Sequence, residues 1–153
     1  MDNSGKRTEP TVRTMAPSDA AAVSQLCEQL GYRRDEHAIL EWIERLAATP
    51  DGQAAFVACV GDDVVGWIEV SIEHRLQYPP FALIGGLVVK NGIRGQGIGR
   101  QLCARAEAWA WERRVDTVRV TSRSTRPEAH RFYLRDGYRQ VKTSLVFELN
   151  RPH

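Results

Sequence analysis

The sequence predicts a three-layer α/β domain built on a mixed sheet. Stretches whose apolar residues recur at helical spacing interleave with stretches that alternate every second residue, along the whole chain. The run Phe81 to Val89 has almost no polar side chain, as suits a strand covered on both faces in the middle of a sheet. At 153 residues, with 42% hydrophobic and 26% charged, the chain fits one core that needs no disulfide staples.

The elements follow in order. Residues 1–11 read as a flexible polar tail, and 12–153 as a single domain. Val12 to Met15 is the first candidate strand. Ser18 is the expected N-cap of a helix whose stripe Val23, Leu26, Cys27 and Leu30 stops at Gly31. A second helix spans about Asp35 to Ala48, with Ile39, Trp42, Ile43 and Leu46 on one side, and Pro50-Asp51-Gly52 ends it. Ala54 to Val60 and Val64 to Glu73 flank Gly61-Asp62-Asp63 as a hairpin. In its second strand Gly66, Ile68, Val70 and Ile72 face one way, while Trp67, Glu69, Ser71 and Glu73 face the other. His74 to Pro80 reads as a loop before the central strand. After that strand, Ile98, Leu102, Ala106 and Trp109 mark a long helix, with Trp111 off the stripe and available to face a second copy, so a homodimer is allowed. Asp116 to Thr121 is a short strand. Thr125 and Glu128 form a capping box for a helix that ends at Gly137, and Tyr138 to Leu149 alternates as a last strand or two joined strands.

Composition excludes several function classes. A net charge of +2 without a basic stripe argues against nucleic acid, and no apolar run approaches a membrane span. The polar N-terminus lacks a signal-peptide core, so a cytoplasmic location is expected. Cys27, Cys59 and Cys103 are odd in number and widely spaced within apolar patterns, which points to buried free thiols and no metal.

The chemistry lies in Arg94-Gly95-Gln96-Gly97-Ile98-Gly99, where a strand turns into a helix. The first backbone N–H groups of that helix lack internal acceptors and carry partial positive charge. Glycines let a ligand approach the main chain, and Arg94 and Arg100 add formal charge, so an anion fits. A triphosphatase phosphate loop needs a Lys-Ser or Lys-Thr pair that is missing here. The dinucleotide fingerprint needs glycine where Arg100 or Leu102 stands. The pattern Arg/Gln-x-x-Gly-x-Gly/Ala is filled by Arg94, Gly97 and Gly99. With this turn, and with Ala129-His130-Arg131-Phe132-Tyr133-Leu134-Arg135-Asp136-Gly137-Tyr138 downstream, the sequence resembles the GNAT superfamily of N-acetyltransferases in both segments, their order and their separation.

The resemblance implies a GNAT-type α/β/α fold with a mixed, mostly antiparallel sheet, and acetyl transfer from acetyl-coenzyme A to a primary amine in a ternary complex. The donor's pyrophosphate is expected on Gly95, Gln96, Gly97, Ile98, Gly99 and Arg100 beside Arg94, and its pantetheine along Leu87, Val88 and Val89. Gly85-Gly86 suggests a bulge where strands splay to admit the acetyl arm. The N–H of about Val89 is the candidate oxyanion donor. Tyr133 matches the family's tyrosine that protonates the leaving thiolate, and Arg126 stands where relatives often carry an asparagine near the pantetheine. Many relatives place a glutamate on the central strand; Phe81 to Val89 has no acid, which leaves Glu69, Glu73 and His74 as candidate bases. The joint Gly31 to Arg34 is expected to wall the acceptor pocket, with a small-molecule amine slightly preferred over a protein acceptor. Two rival readings are a catalytically silent acetyl-coenzyme A sensor and a dinucleotide-binding oxidoreductase.

Overall fold

The computed structural model describes residues 9–93, 95–122 and 126–152. Arg94, Ser124, Thr125 and most of the expected tail lie outside them. The chain divides after Thr121 into two compact units.

In the first unit, five strands stand in sequence order: β1 (Thr11–Thr14), β2 (Gln53–Val60), β3 (Asp63–Arg75), β4 (Tyr78–Val89) and β5 (Val118–Val120). The first four pair antiparallel and β5 runs parallel to β4, so the sheet is mixed. A parallel neighbour requires a crossover, and helix α3 (Ile98–Glu112) supplies it.

Two helices, α1 (Ala20–Gln29) and α2 (Glu36–Leu46), cover one face. Their Val23, Cys27, Ile39 and Ile43 pack with Ala55, Val57 and Cys59 of β2, and Trp67 of β3 lies against this cluster. The opposite face belongs to α3. Arg105 of that helix sits 4.3 Å over the ring of Phe56, which pairs with Ile68 and so shares its face. The three-layer arrangement expected from the interleaved periodicities is therefore present. Its physical basis is the strict alternation in β3, which sends Ile68 and Val70 to α3 and Trp67 and Glu69 to α1 and α2.

Several boundaries differ from expectation. Ser18 is not the N-cap. A single 3-10 turn, Pro17–Asp19, precedes α1, and Asp19 holds it by accepting from the Ala16 N–H at 2.7 Å. Asp19 is buried, and Arg13 donates to both its oxygens at 2.7 and 2.8 Å, which ties β1 to the helix entry. At the other end Gly31 (φ +91) stops the helix as expected. Asp35 caps α2 through the Ala38 N–H.

The expected loop from His74 to Pro80 does not exist. Strand β3 runs on to Arg75, which already pairs with Tyr78, so Pro79 and Pro80 lie inside β4. Prolines are tolerated there because the register shifts between Glu73 and Arg75, and because β5 reaches only Ala82 on the other side. Strand β4 is interior, but the middle strand of the five is β3. Apolarity reports coverage of both faces, which helices supply, and carries no information about position across the sheet.

The second unit contains α4 (Pro127–Arg135), closed by Gly137 (φ +98). Among the described residues no side chain caps its start at Arg126, and Thr125 of the expected capping box lies outside them. The strand expected over Tyr138 to Leu149 is absent: these residues form no ladder, and Val141, Leu145, Phe147 and Leu149 are exposed. Alternation makes a segment fit to be a strand, but backbone pairing requires an edge, and a unit with one nine-residue helix offers none.

Candidate active site

The site forms where β4 changes register. Glu69 pairs with Gly86 and Val70 with Ile84, so Gly85 is an extra residue bulged out of β4. Before the bulge, Ala82 turns its N–H away from β3 and donates to Thr117. Beyond it the parity flips. Lys90 donates to Val65 of β3, so Val89 and Leu87 turn their N–H and C=O groups to the outer edge. Strand β5 covers that edge only over Ala82–Ile84. Among the described residues no strand pairs with the outer edge of β4 from Gly85 to Val89.

The glycines are required by what lies above them. A Cβ on Gly85 would fall 2.6 Å from Glu69 Oε1, and one on Gly86 would fall 2.7 Å from Trp67 Cη2. Only hydrogen at both positions lets the carboxylate and the indole lie flat on the strand. Trp67 Nε1 is buried there, and nothing accepts from it.

Of the three candidate bases, the structure brings only Glu69 to the bulge. Burial pushes its carboxyl above the ordinary glutamate range. Burial also raises the Cys27 thiol, with the charge of Glu69 adding to the effect and Arg34 opposing it, which sets Cys27 and Arg34 in the same electrostatic neighbourhood. Glu73 stands four residues away, about 13 Å along an extended strand, and is engaged by Ser71 Oγ and the Arg75 guanidinium, each at 3.2 Å. His74 is exposed near the end of the same strand. The joint between α1 and α2 carries a hollow of about 250 Å³ lined by Glu28, Gly31 and Arg33.

Beyond the open edge, Gly95 (φ +90) and Gly97 (φ +79) lead into α3. The left-handed Gly97 turns the chain into α3, so that the N-terminal turn of the helix, which starts at Ile98, follows the glycines directly. Gln101 donates to the Gly97 carbonyl at 3.0 Å. A helix start approached through glycines is a form that suits an anion.

Arg126 and Tyr133 belong to the second unit. Arg126 is exposed at the start of α4. The Tyr133 ring packs edge-on between Phe132 and Tyr138, at centroid distances of 5.2 and 5.8 Å.

Sequence reasoning missed one residue, Gln29. Its Nε2 donates to the Val89 carbonyl at 2.7 Å, and its Oε1 accepts from the Asn91 N–H at 2.8 Å. Nothing in a helix-terminal glutamine signals a partner sixty residues away.

Residues 20–138 match the model of the acetyltransferase (GNAT) family. The chain belongs to that family and is an acyltransferase of the N-acetyltransferase type. It is 30% identical over 145 residues to the aminoglycoside N(6')-acetyltransferase type 1 of Stenotrophomonas maltophilia, which covers 92% of this chain and 93% of that protein. Over 79 residues it is 39% identical to the aminoalkylphosphonate N-acetyltransferase of Salmonella typhimurium, 51% of each chain. An aminoglycoside N-acetyltransferase crystallised with coenzyme A shares the fold with a TM-score of 0.83 at 17% identity, covering 95% of this chain and 97% of that one. A transcriptional regulator from Bacillus halodurans shares it with a TM-score of 0.81 at 24% identity, covering 92% and 100%. Among the described residues, no helix is long and apolar enough to cross a membrane.

Proposed function

We propose that the protein acetylates a primary amine of a small molecule, using acetyl-coenzyme A and direct attack in a ternary complex. The observation that carries this reading is the half-buried Glu69 carboxylate lying over the Gly85 bulge, where the strand beyond it turns the Leu87 N–H to the outer edge of β4. Acetyl-coenzyme A supplies an activated acyl thioester. The chain's own groups do the rest.

The N–H groups from Gly95 to Arg100 hold the pyrophosphate, with Arg94 and Arg126 as charged partners. Leu87 and Val89 offer outward main-chain groups to the amides of the pantetheine. Leu87 N–H is the better placed oxyanion donor of the two, because Leu87 follows Gly86, the residue that pairs with Glu69. A donor fixed in place before charge develops stabilises the transition state without reorganisation. Glu69 takes the proton from the incoming ammonium. Its raised pKa brings it closer to the pH at which it must accept that proton, which is what a general base requires. Tyr133 returns a proton to the departing thiolate.

A buried acid on β3 also removes the main support for a silent sensor, which was the lack of an acid on β4. The two relatives identified by sequence are both named for small amine acceptors, one an aminoglycoside and one an aminoalkylphosphonate. The test is incubation with acetyl-coenzyme A and a panel of aminoglycosides, aminoalkylphosphonates and lysine peptides, read by mass spectrometry. Acetyl gain on a small amine supports the reading. Gain on peptides alone, or on nothing in a protein that binds the donor, refutes it.

A further inference from the structure

We infer that Gln29 is a positioning residue for the acyl donor, setting the spacing between the open edge of β4 and the glycine turn. This rests on the acetyl-transfer reading above. The carboxamide of Gln29 pairs with β4 as a neighbouring strand would: it donates to the carbonyl of Val89 and accepts from the N–H of Asn91, two outward groups on the same edge. The outward groups of this edge that Gln29 leaves unengaged are those of Leu87 and the Val89 N–H.

The same clamp fixes the next segment. From Lys90 to Gly97 the chain passes through Gly92 (φ +90), Gly95 (φ +90) and Gly97 (φ +79), residues with wide conformational freedom. Among the described residues, few main-chain bonds hold the start of this stretch. Lys90 donates to Val65 at 2.8 Å, and Ile93 donates to Lys90 at a long 3.4 Å. The bond from Asn91 to Gln29 is shorter than the second of these and anchors the segment to α1, an element outside the strand pair. A ligand that touches only the glycine turn does not sense the spacing. One that spans the turn and the edge does, because it must meet both sets of donors at once.

Two variants separate hydrogen bonding from packing. Gln29→Met keeps the length and the apolar stem but loses both bonds; Gln29→Glu keeps the acceptor for Asn91 and loses the donor to Val89. Calorimetry with acetyl-coenzyme A and with ADP, which carries a pyrophosphate but no pantetheine, reads the effect. Gln29→Met is expected to weaken acetyl-coenzyme A roughly ten-fold, from two lost hydrogen bonds, with ADP affinity and thermal midpoint near wild type; Gln29→Glu should weaken it less. Unchanged affinity for acetyl-coenzyme A, or equal weakening of both ligands, overturns the inference. A wild-type protein that binds no acetyl-coenzyme A overturns both this inference and the reading beneath it. Wild-type binding without any acetylated acceptor defeats the transfer reading alone, since the two affinities still judge Gln29.

Discussion

Replacing Gly85 with alanine probes the bulge directly. The new Cβ would stand 2.6 Å from Glu69 Oε1, where ordinary contact begins at 3.4 Å, so the carboxylate must retreat by about 0.8 Å. The clash is with the tip of a side chain that can turn, and Gly85 itself is exposed, so the fold should hold. Losing a glycine from the unfolded chain offsets part of the cost, by about 0.4–1 kcal/mol. The thermal midpoint is therefore expected to stay within a few degrees of wild type. Catalysis should suffer more, because a shift of about 1 Å at a reacting group costs roughly 100-fold, or about 2.7 kcal/mol in the barrier. Steady-state kinetics on the wild type, Gly85→Ala, Glu69→Gln and the double variant check this. If Gly85 exists to seat Glu69, the double variant turns over no more slowly than Glu69→Gln alone. A further loss of similar size in the Glu69→Gln background would mean that the glycine makes room for a ligand instead. Wild-type turnover in Gly85→Ala would refute the reasoning.

Three further outcomes are expected. Glu69→Gln should lower kcat by about 10²- to 10⁴-fold, and the rise of wild-type kcat/KM with pH through the raised Glu69 pKa should vanish in the variant. The same carboxyl affects stability: its folded pKa lies above the unfolded value of about 4.3, so wild-type stability falls as pH rises through that window, and Glu69→Gln should remove the fall in urea titrations on either side of it. Tyr133→Phe should lower kcat and leave acetyl-coenzyme A affinity intact; equal turnover would remove its role as the acid. Asp19 behaves oppositely to Glu69, because the Arg13 guanidinium holds its carboxyl below the unfolded value of about 3.9, so its contribution is present above that pH and lost as pH falls through the folded value. Asp19→Asn should cost about 1–2 kcal/mol near neutrality, a modest figure because Arg13 is half exposed; an equal cost in strong acid would refute the ion-pair account.

The sequence by itself determined what is local. Two-residue alternation in β3 separated the Ile68 face from the Glu69 face, and the stripe from Ile98 to Trp109 laid α3 on the sheet, because side-chain direction follows from backbone period alone. Gly31 and Gly137 marked helix C-termini, and each has the positive φ that such ends favour. Gly85-Gly86 announced a bulge. The family was also legible, since the glycine turn and the Phe132-Tyr133 segment are contiguous motifs.

Tertiary structure decided what depends on distant partners. Glu69, Glu73 and His74 read alike in the sequence, and only the register of β3 against β4 singled out Glu69 by setting it over Gly85. Only that register exposed the outward N–H of Leu87. The pairing of Arg75 with Tyr78 turned an expected loop into strand despite two prolines, and the alternating segment from Val141 to Leu149 forms no strand. Gln29 reaches Val89 and Asn91 across sixty residues of chain. A periodic pattern states which way a side chain will point. What it meets there depends on how separate strands and helices pack, and the free energy that fixes this comes from contacts between segments that no local stretch of sequence contains.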